Sequence, residues 1–237
     1  SATRAVYRGL QDGRSAVRYL RENAADYRID PNRIYMAGSS AGGFIALQSV
    51  YMNDASEKPN AAGAYQYTDP TDLFPPYQQI TAPDLGGYDI GDFTDKKGKP
   101  DAIISLWAAV KHSNLITQKD TTPVFLVHGK TDEIVPFGIG SPFNLSTFPP
   151  TYGSKEIYDK LDDLGFAGKE TYFVDGEGHE FYGVSNGMWS NGTGGNAYWE
   201  IVVDKSVNFL YHQHKPEANF LYQTNDLEVT FENTSQE

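Results

Sequence analysis

The sequence predicts an α/β protein with a mostly parallel sheet flanked by helices, and three observations carry that expectation. The apolar runs at 102–107 and 123–127 are continuous rather than alternating, as strands covered on both faces read. Segments of helical period separate such runs, so strand and helix alternate along the chain. A third run, Arg33-Ile34-Tyr35-Met36-Ala37, turns sharply through Gly38-Ser39-Ser40-Ala41-Gly42-Gly43 into a fourth apolar stretch, a strand–turn–helix corner.

Taken in order, residues 1 to about 27 predict an amphipathic helix with Ala5, Val6, Leu10, Ala16, Val17, Leu20 and Ala24 near helical spacing. Asp30-Pro31-Asn32 breaks it and leads into a strand at 33–37; a helix follows from about Ala41 to Met52. From 53 to 100 neither period persists, and Pro, Gly, Tyr, Asp and Thr dominate. A segment this long without regular structure is usually functional. It is expected to be a lid or a pocket-lining insertion, with Tyr65, Tyr67, Phe74, Tyr77 and Tyr88 as candidate substrate contacts. Residues 136–150 read as a Pro/Phe/Gly-rich loop, 154–164 as a helix stopped by Gly165, and 169–174 as a strand. A Gly/Asn-rich loop spans about 183–196, and a helix from Ala197 to His212 closes a domain covering 1–214. Residues 215–237 form a polar tail or linker with a strand-like patch at 227–231.

Composition narrows the partners. The net charge of −12 disfavours nucleic acid or an anionic membrane as a partner. No apolar run approaches the roughly 20 residues of a membrane span. The absence of cysteine excludes disulfides, thiolate metal sites and a cysteine nucleophile. No phosphate loop or metal cluster is expected, and no cofactor. Asp84, Asp89, Asp92 and Asp95 lack an EF-hand spacing and read as a solvated acidic loop. The chain begins without Met or a leader pattern, as a processed or trimmed chain would, and a secreted or periplasmic location is expected.

The corner at 38–42 has the pattern G-x-S-x-G, in which a serine on a strained turn is lifted clear of the sheet. Its nucleophile candidate is Ser40. A serine hydroxyl needs a base within hydrogen-bond reach, itself oriented by a third group. Two later strands end in suitable residues: His128-Gly129-Lys130-Thr131-Asp132-Glu133 offers Asp132, and Asp175-Gly176-Glu177-Gly178-His179 offers His179. The order Ser40, Asp132, His179 is one of three known chain orders for this constellation.

With these motifs the chain resembles the α/β-hydrolase-fold carboxylesterases of the serine esterase and lipase superfamily. The stretch from Arg8 to Gly43 looks like their helix–strand–elbow unit, HGKTDEIVP like their acid loop, and GEGHEFYG like their histidine loop. The resemblance implies an α/β-hydrolase fold and an acyl-enzyme on Ser40. His179 would be the base, Asp132 its orienter, and the Ala41 N–H half of an oxyanion hole. It also implies strands and a His-Gly-Gly loop ahead of the first helix. No such loop occurs in this sequence, so N-terminal strands are expected to be missing from this chain or supplied by another segment. A small-molecule or polymeric ester is the expected substrate, with plant cell-wall (acetyl, feruloyl) esters or polyesters suiting the tyrosine-rich insertion. The competing readings are a prolyl-oligopeptidase-type peptidase and a non-catalytic relative.

Other residues compete for these roles. Glu133 is the alternative acid, and Ser39 reads as a turn residue. His128 is expected to pack under the acid loop, while His112, His212 and His214 read as surface residues. Trp107 is either core or pocket wall, and Trp189 is the better candidate for touching substrate.

Overall fold

The structure is a computed structural model and describes residues 2–68, 71, 74–185, 188–189, 194–214, 220–225 and 228–233. Its centre is a four-stranded parallel sheet of β1 (Tyr35–Ser39), β4 (Ala102–Leu106), β6 (Val124–Gly129) and β9 (Lys169–Val174), in the order β1-β4-β6-β9. The continuous apolar runs have the expected cause. In β4, Ile103 faces one core and Ala102 and Ile104 the other; in β6, Val124 and Leu126 face the first and Phe125 and Val127 the second. Alternate side chains of one strand enter two separate cores, so both faces are apolar except at Ser105 and His128 near the carboxyl ends.

The first core lies under α1 (Ala2–Glu22), α3 (Ala41–Tyr51) and α4 (Ser154–Asp163), through Leu10, Leu47 and Leu161 among others. The second lies under α5 (Ala197–His212), through Val202 and Phe209. A short α2 (Ala24–Tyr27) ends at Arg28, whose φ of 56° closes the turn.

Several sequence expectations shift. The first strand begins at Tyr35 rather than Arg33, because Arg33 N–H turns back to Asp30 O and Ile34 N–H donates to the Asp101 carboxylate. The buried stripe of α1 is Arg4, Tyr7, Leu10, Gln11, Arg14, Val17 and Arg18, while Ala5 and Ala16 are exposed. The arginines are inside because the 53–100 insertion lies on them. It contains a hairpin, β2 (Tyr65–Thr68) with β3 (Gln79–Ala82), but is otherwise nearly without ladder partners.

Side chains of α1 satisfy its carbonyls instead. Arg4 donates to Ala61 O, Gly63 O and Pro83 O, Tyr7 to Gly86 O, and Gln11 to Leu85 O and Gly87 O. Arg18 donates to Ile90 O and Asp92 O and pairs with Asp89, and Arg21 reaches Lys97 O and Lys99 O. Three of the acidic-loop carboxylates are paired in this layer: Asp84 with Lys58, Asp89 with Arg14 and Arg18, and Asp95 with Lys96.

The loop expected at 136–150 contains structure as well. Strands β5 (Ala109–Val110), β7 (Ile139–Gly140) and β8 (Thr151–Gly153) form a small antiparallel sheet ordered β5-β8-β7. Two further hairpins, β10 (Val184–Ser185) with β11 (Met188–Trp189) and β12 (Phe220–Asn225) with β13 (Glu228–Asn233), complete the described chain. No helix among the described residues is long and apolar enough to cross a membrane.

Candidate active site

Parallel strands leave their carboxyl ends on one rim, and four chain segments meet there: the residues following β1, β4, β6 and β9. Ser40 follows β1 directly and caps α3 with φ 53° and ψ −117°, a conformation costing about 1–3 kcal/mol for a non-glycine residue. It is held by Ser40 N–H to Leu106 O at 3.0 Å and Phe44 N–H to Ser40 O at 3.1 Å. A Cβ on Gly38 would collide with the backbone of Gly42 and Gly43, and one on Gly43 would lie 2.5 Å from the Ala108 Cβ. Gly42 has open space at that position. The steric demand thus falls on Gly38 and Gly43, rather than on the motif pair Gly38 and Gly42.

His179 reaches the serine from the loop after β9. Its Nε2 lies 3.0 Å from Ser40 Oγ and its Nδ1 2.7 Å from Asp132 Oδ2. Asp132, after β6, is fully buried at its carboxylate. Its Oδ1 accepts Ile134 N–H at 2.8 Å and Val135 N–H at 2.9 Å. Burial alone would raise its pKa. Hydrogen bonds from His128, His179 and Val135 N–H outweigh that penalty and hold the carboxyl well below the usual carboxylate range. Glu133 is exposed and makes no such contact. Gly129 lets the two loops meet, since a Cβ there would strike the carbonyls of Glu177 and Gly178.

The arrangement can move a proton from Ser40 Oγ to His179 while a fixed carboxylate faces the far nitrogen. Ala41 opens α3, where the helix offers its N–H no internal partner, and lines the same cavity as Ser40. An anion beside Ser40 would meet that donor and the positive end of the helix.

Other candidates sit elsewhere. Trp107 is fully buried, so it is core rather than pocket wall. Its indole N–H donates to Ser39 Oγ at 2.9 Å, and its ring meets His179 edge-on at 6.2 Å. Ser39 is therefore the last residue of β1 and an anchor for Trp107 rather than a turn residue. Tyr88 packs on Tyr7 at 5.7 Å and donates to Asp54 O at 2.5 Å, under the insertion and away from the cavity. The side chain of Trp189 lies outside the described residues. His112 is half-buried against Tyr152, and His214 stacks on Tyr35 and hydrogen-bonds to its hydroxyl, so neither is a free surface residue.

The cavity over Ser40 holds about 270 Å³. Pro59 is the one residue of the insertion that lines it among the described residues; Ala2, Thr3 and Val6 of α1 form another side. The opposite wall is Pro142, Phe143, Phe148, Pro149 and Pro150, carried by the β5-β8-β7 sheet, with Lys111 at the edge. This wall went unread in the sequence. Its signal was the cluster of Pro and Phe between two strands of the main sheet.

The family model described as BD-FAE matches residues 2–144. A search of curated proteins finds no match. Among solved structures, Thermogutta terrifontis esterase 2 phosphoramylated by tabun is similar at 16% identity and a TM-score of 0.56, covering 87% of this chain and 65% of its own. A truncated carbohydrate esterase from gut microbiota aligns at 18% identity and TM-score 0.51, covering 85% of this chain and 68% of its own. MGS-M1, an α/β hydrolase enzyme from a Medee basin deep-sea metagenome library, aligns at 18% and 0.50, covering 86% and 64%. The fold is thus the α/β-hydrolase fold, and the chain spans about two thirds of the length of these proteins.

Proposed function

The chain belongs to the BD-FAE family, and from that membership and the geometry at Ser40 we propose that it is a serine hydrolase of carboxylic esters. One observation carries the reading: Ser40 Oγ, His179 and Asp132 form a continuous hydrogen-bonded chain of 3.0 and 2.7 Å on the strand rim.

In this reading Ser40 Oγ attacks the ester carbonyl carbon while its proton passes to His179 Nε2. Asp132 stabilises the imidazolium and keeps Nδ1–H pointed at itself. The tetrahedral oxyanion takes a hydrogen bond from Ala41 N–H, and such a donor contributes on the order of 100-fold to 1000-fold in turnover. Collapse breaks the ester C–O bond, and the departing alkoxide receives the proton from His179. Water, deprotonated by the same nitrogen, then hydrolyses the acyl-Ser40 intermediate and regenerates the hydroxyl.

The substrate we propose is an ester with an aromatic or short acyl group on a plant cell-wall polymer, with polyesters as a second class. The Phe143–Phe148 wall offers apolar faces, and a carbohydrate esterase is among the proteins of like fold. The test compares p-nitrophenyl acetate, methyl ferulate and a peptide p-nitroanilide on wild type and Ser40→Ala. Turnover of the esters, lost in the variant, supports the reading. Turnover confined to the anilide would turn it toward a peptidase, and none on any substrate toward a binding protein.

A further inference from the structure

His128, the penultimate residue of β6, is fully buried and belongs to no step above. Its Nδ1 lies 2.8 Å from Ser154 Oγ, at the start of α4. Its Nε2 lies 3.0 Å from Val135 O and 3.3 Å from Asp132 Oδ2. A carbonyl only accepts, so the proton is on Nε2, and in the neutral ring Nδ1 accepts the Ser154 hydroxyl proton. The Nε2–H is then shared between Val135 O and the Asp132 carboxylate. Asp132 Oδ2 accordingly stands between two imidazoles, His179 at 2.7 Å and His128 at 3.3 Å.

The ring is clamped on its remaining sides. Phe137 meets it edge-on at 5.5 Å, and Phe173 of β9 is its register partner. Charged groups on the surrounding elements turn to other partners: Lys130 to Asp175, Lys155 to Asp159 and Glu156, and Glu177 to Tyr198. Among the described residues, Asp132 is the one titratable side chain within hydrogen-bond reach of His128.

We propose that His128 is a positioning residue: a neutral, buried imidazole whose Nε2–H fixes the Asp132 oxygen that faces His179 and takes up part of its charge. The inference rests on the assignment of Asp132 and His179 as acid and base. With the Nε2–H donor removed, Asp132 is free to rotate and its charge falls more fully on His179. That charge stabilises the imidazolium, so His179 stays protonated to higher pH and the acid limb of kcat/KM moves up.

Two variants separate the donor from the packing. Asn at 128 places its amide near Ser154 but reaches neither Asp132 nor Val135 O; Gln extends one bond further, toward the Nε2 position. On p-nitrophenyl acetate, His128→Asn is expected to lower kcat by about 10–100-fold, the usual cost of losing a partner that orients a site residue. KM should stay within about two-fold and the acid limb should rise by about half a pH unit. His128→Gln should recover most of kcat and the original limb. Equal kcat and limb in both variants and wild type would overturn the proposal, as would equal damage in both.

A second measurement needs no variant and no activity. The 15N spectrum of the wild-type imidazoles should show the His128 proton on Nε2, facing Val135 O, and none on Nδ1. The opposite tautomer, or a proton on both nitrogens, contradicts the proposal. An inactive wild type with the expected tautomer would instead count against the esterase reading alone.

Discussion

The rim of the main sheet and the 53–100 insertion are held by different physics. At the rim, each site residue follows a strand within a few positions, and parallel pairing brings those ends together. The contacts that matter there are then short: Ser40 to His179 to Asp132, with a steric stop at Gly38. The insertion has no such scaffold. It borrows α1, whose Arg4, Gln11, Arg18 and Arg21 each give side-chain donors to its carbonyls across 57 to 79 residues of sequence. A buried carbonyl without a partner costs about 1–3 kcal/mol, so these arginines stand in for a β-ladder. One region encodes geometry through backbone periodicity, and the other through individual side chains. Damage to each should therefore look different.

The largest separation is expected from Ser40→Ala. It should lower ester turnover by on the order of 10⁴-fold or more while leaving the melting temperature within a few degrees of wild type. Calorimetry and p-nitrophenyl acetate kinetics on the same preparation would check this.

Next comes the paired test Gly38→Ala and Gly42→Ala. The first drives a methyl into the Gly42 backbone and should cost about 3 kcal/mol or more, together with activity. The second enters open space and should change urea stability by about 1 kcal/mol or less. Similar costs for both would show that the elbow is not set by the Gly38 contact.

Arg18→Ala breaks the other region. It removes a fully buried guanidinium, strands Ile90 O and Asp92 O, and leaves the half-exposed Asp89 carboxylate to Arg14 alone, at a cost of about 2–3 kcal/mol. The effect should appear as faster proteolysis within 85–100, with kcat on a small ester changed less than about three-fold because, among the described residues, only Pro59 of the insertion reaches the cavity. A kcat loss matching the proteolysis would mean that the two regions are coupled.

The smallest effect is a pH dependence. The folded Asp132 carboxyl is held well below its ordinary range, whereas in the unfolded chain it titrates near pH 4. Its stabilisation is thus fully present above that value and is lost as pH falls through 4 toward the folded pKa. The stability gap between wild type and Asp132→Asn should be about 1 kcal/mol wider at pH 7 than at pH 3. An unchanged gap would mean that Asp132 gains nothing from its donors.

The sequence revealed the two regions unequally for the same reason. Strands read from continuous apolar runs because β4 and β6 are apolar on both faces. The motif around Ser40 and the order of Asp132 and His179 follow from local turn chemistry, which spacing records. The buried face of α1 could not be read from periodicity, since Arg4, Arg14 and Arg18 look like a solvated stripe until the carbonyls that meet them are known. Tyr88 looked like a ligand contact because it sits in an irregular segment, yet it is a core ring under that segment. The Phe143–Phe148 wall was hidden by strands of two or three residues, too short to show a period.

The most direct measurement is the mass and position of the adduct formed by a fluorophosphonate on the folded wild-type protein. A single addition is expected, mapping by peptide sequencing to the Tyr35–Tyr51 region at Ser40 and slowed by on the order of 10³-fold or more in His179→Ala. No adduct on folded protein, or an adduct on another serine, would contradict the account.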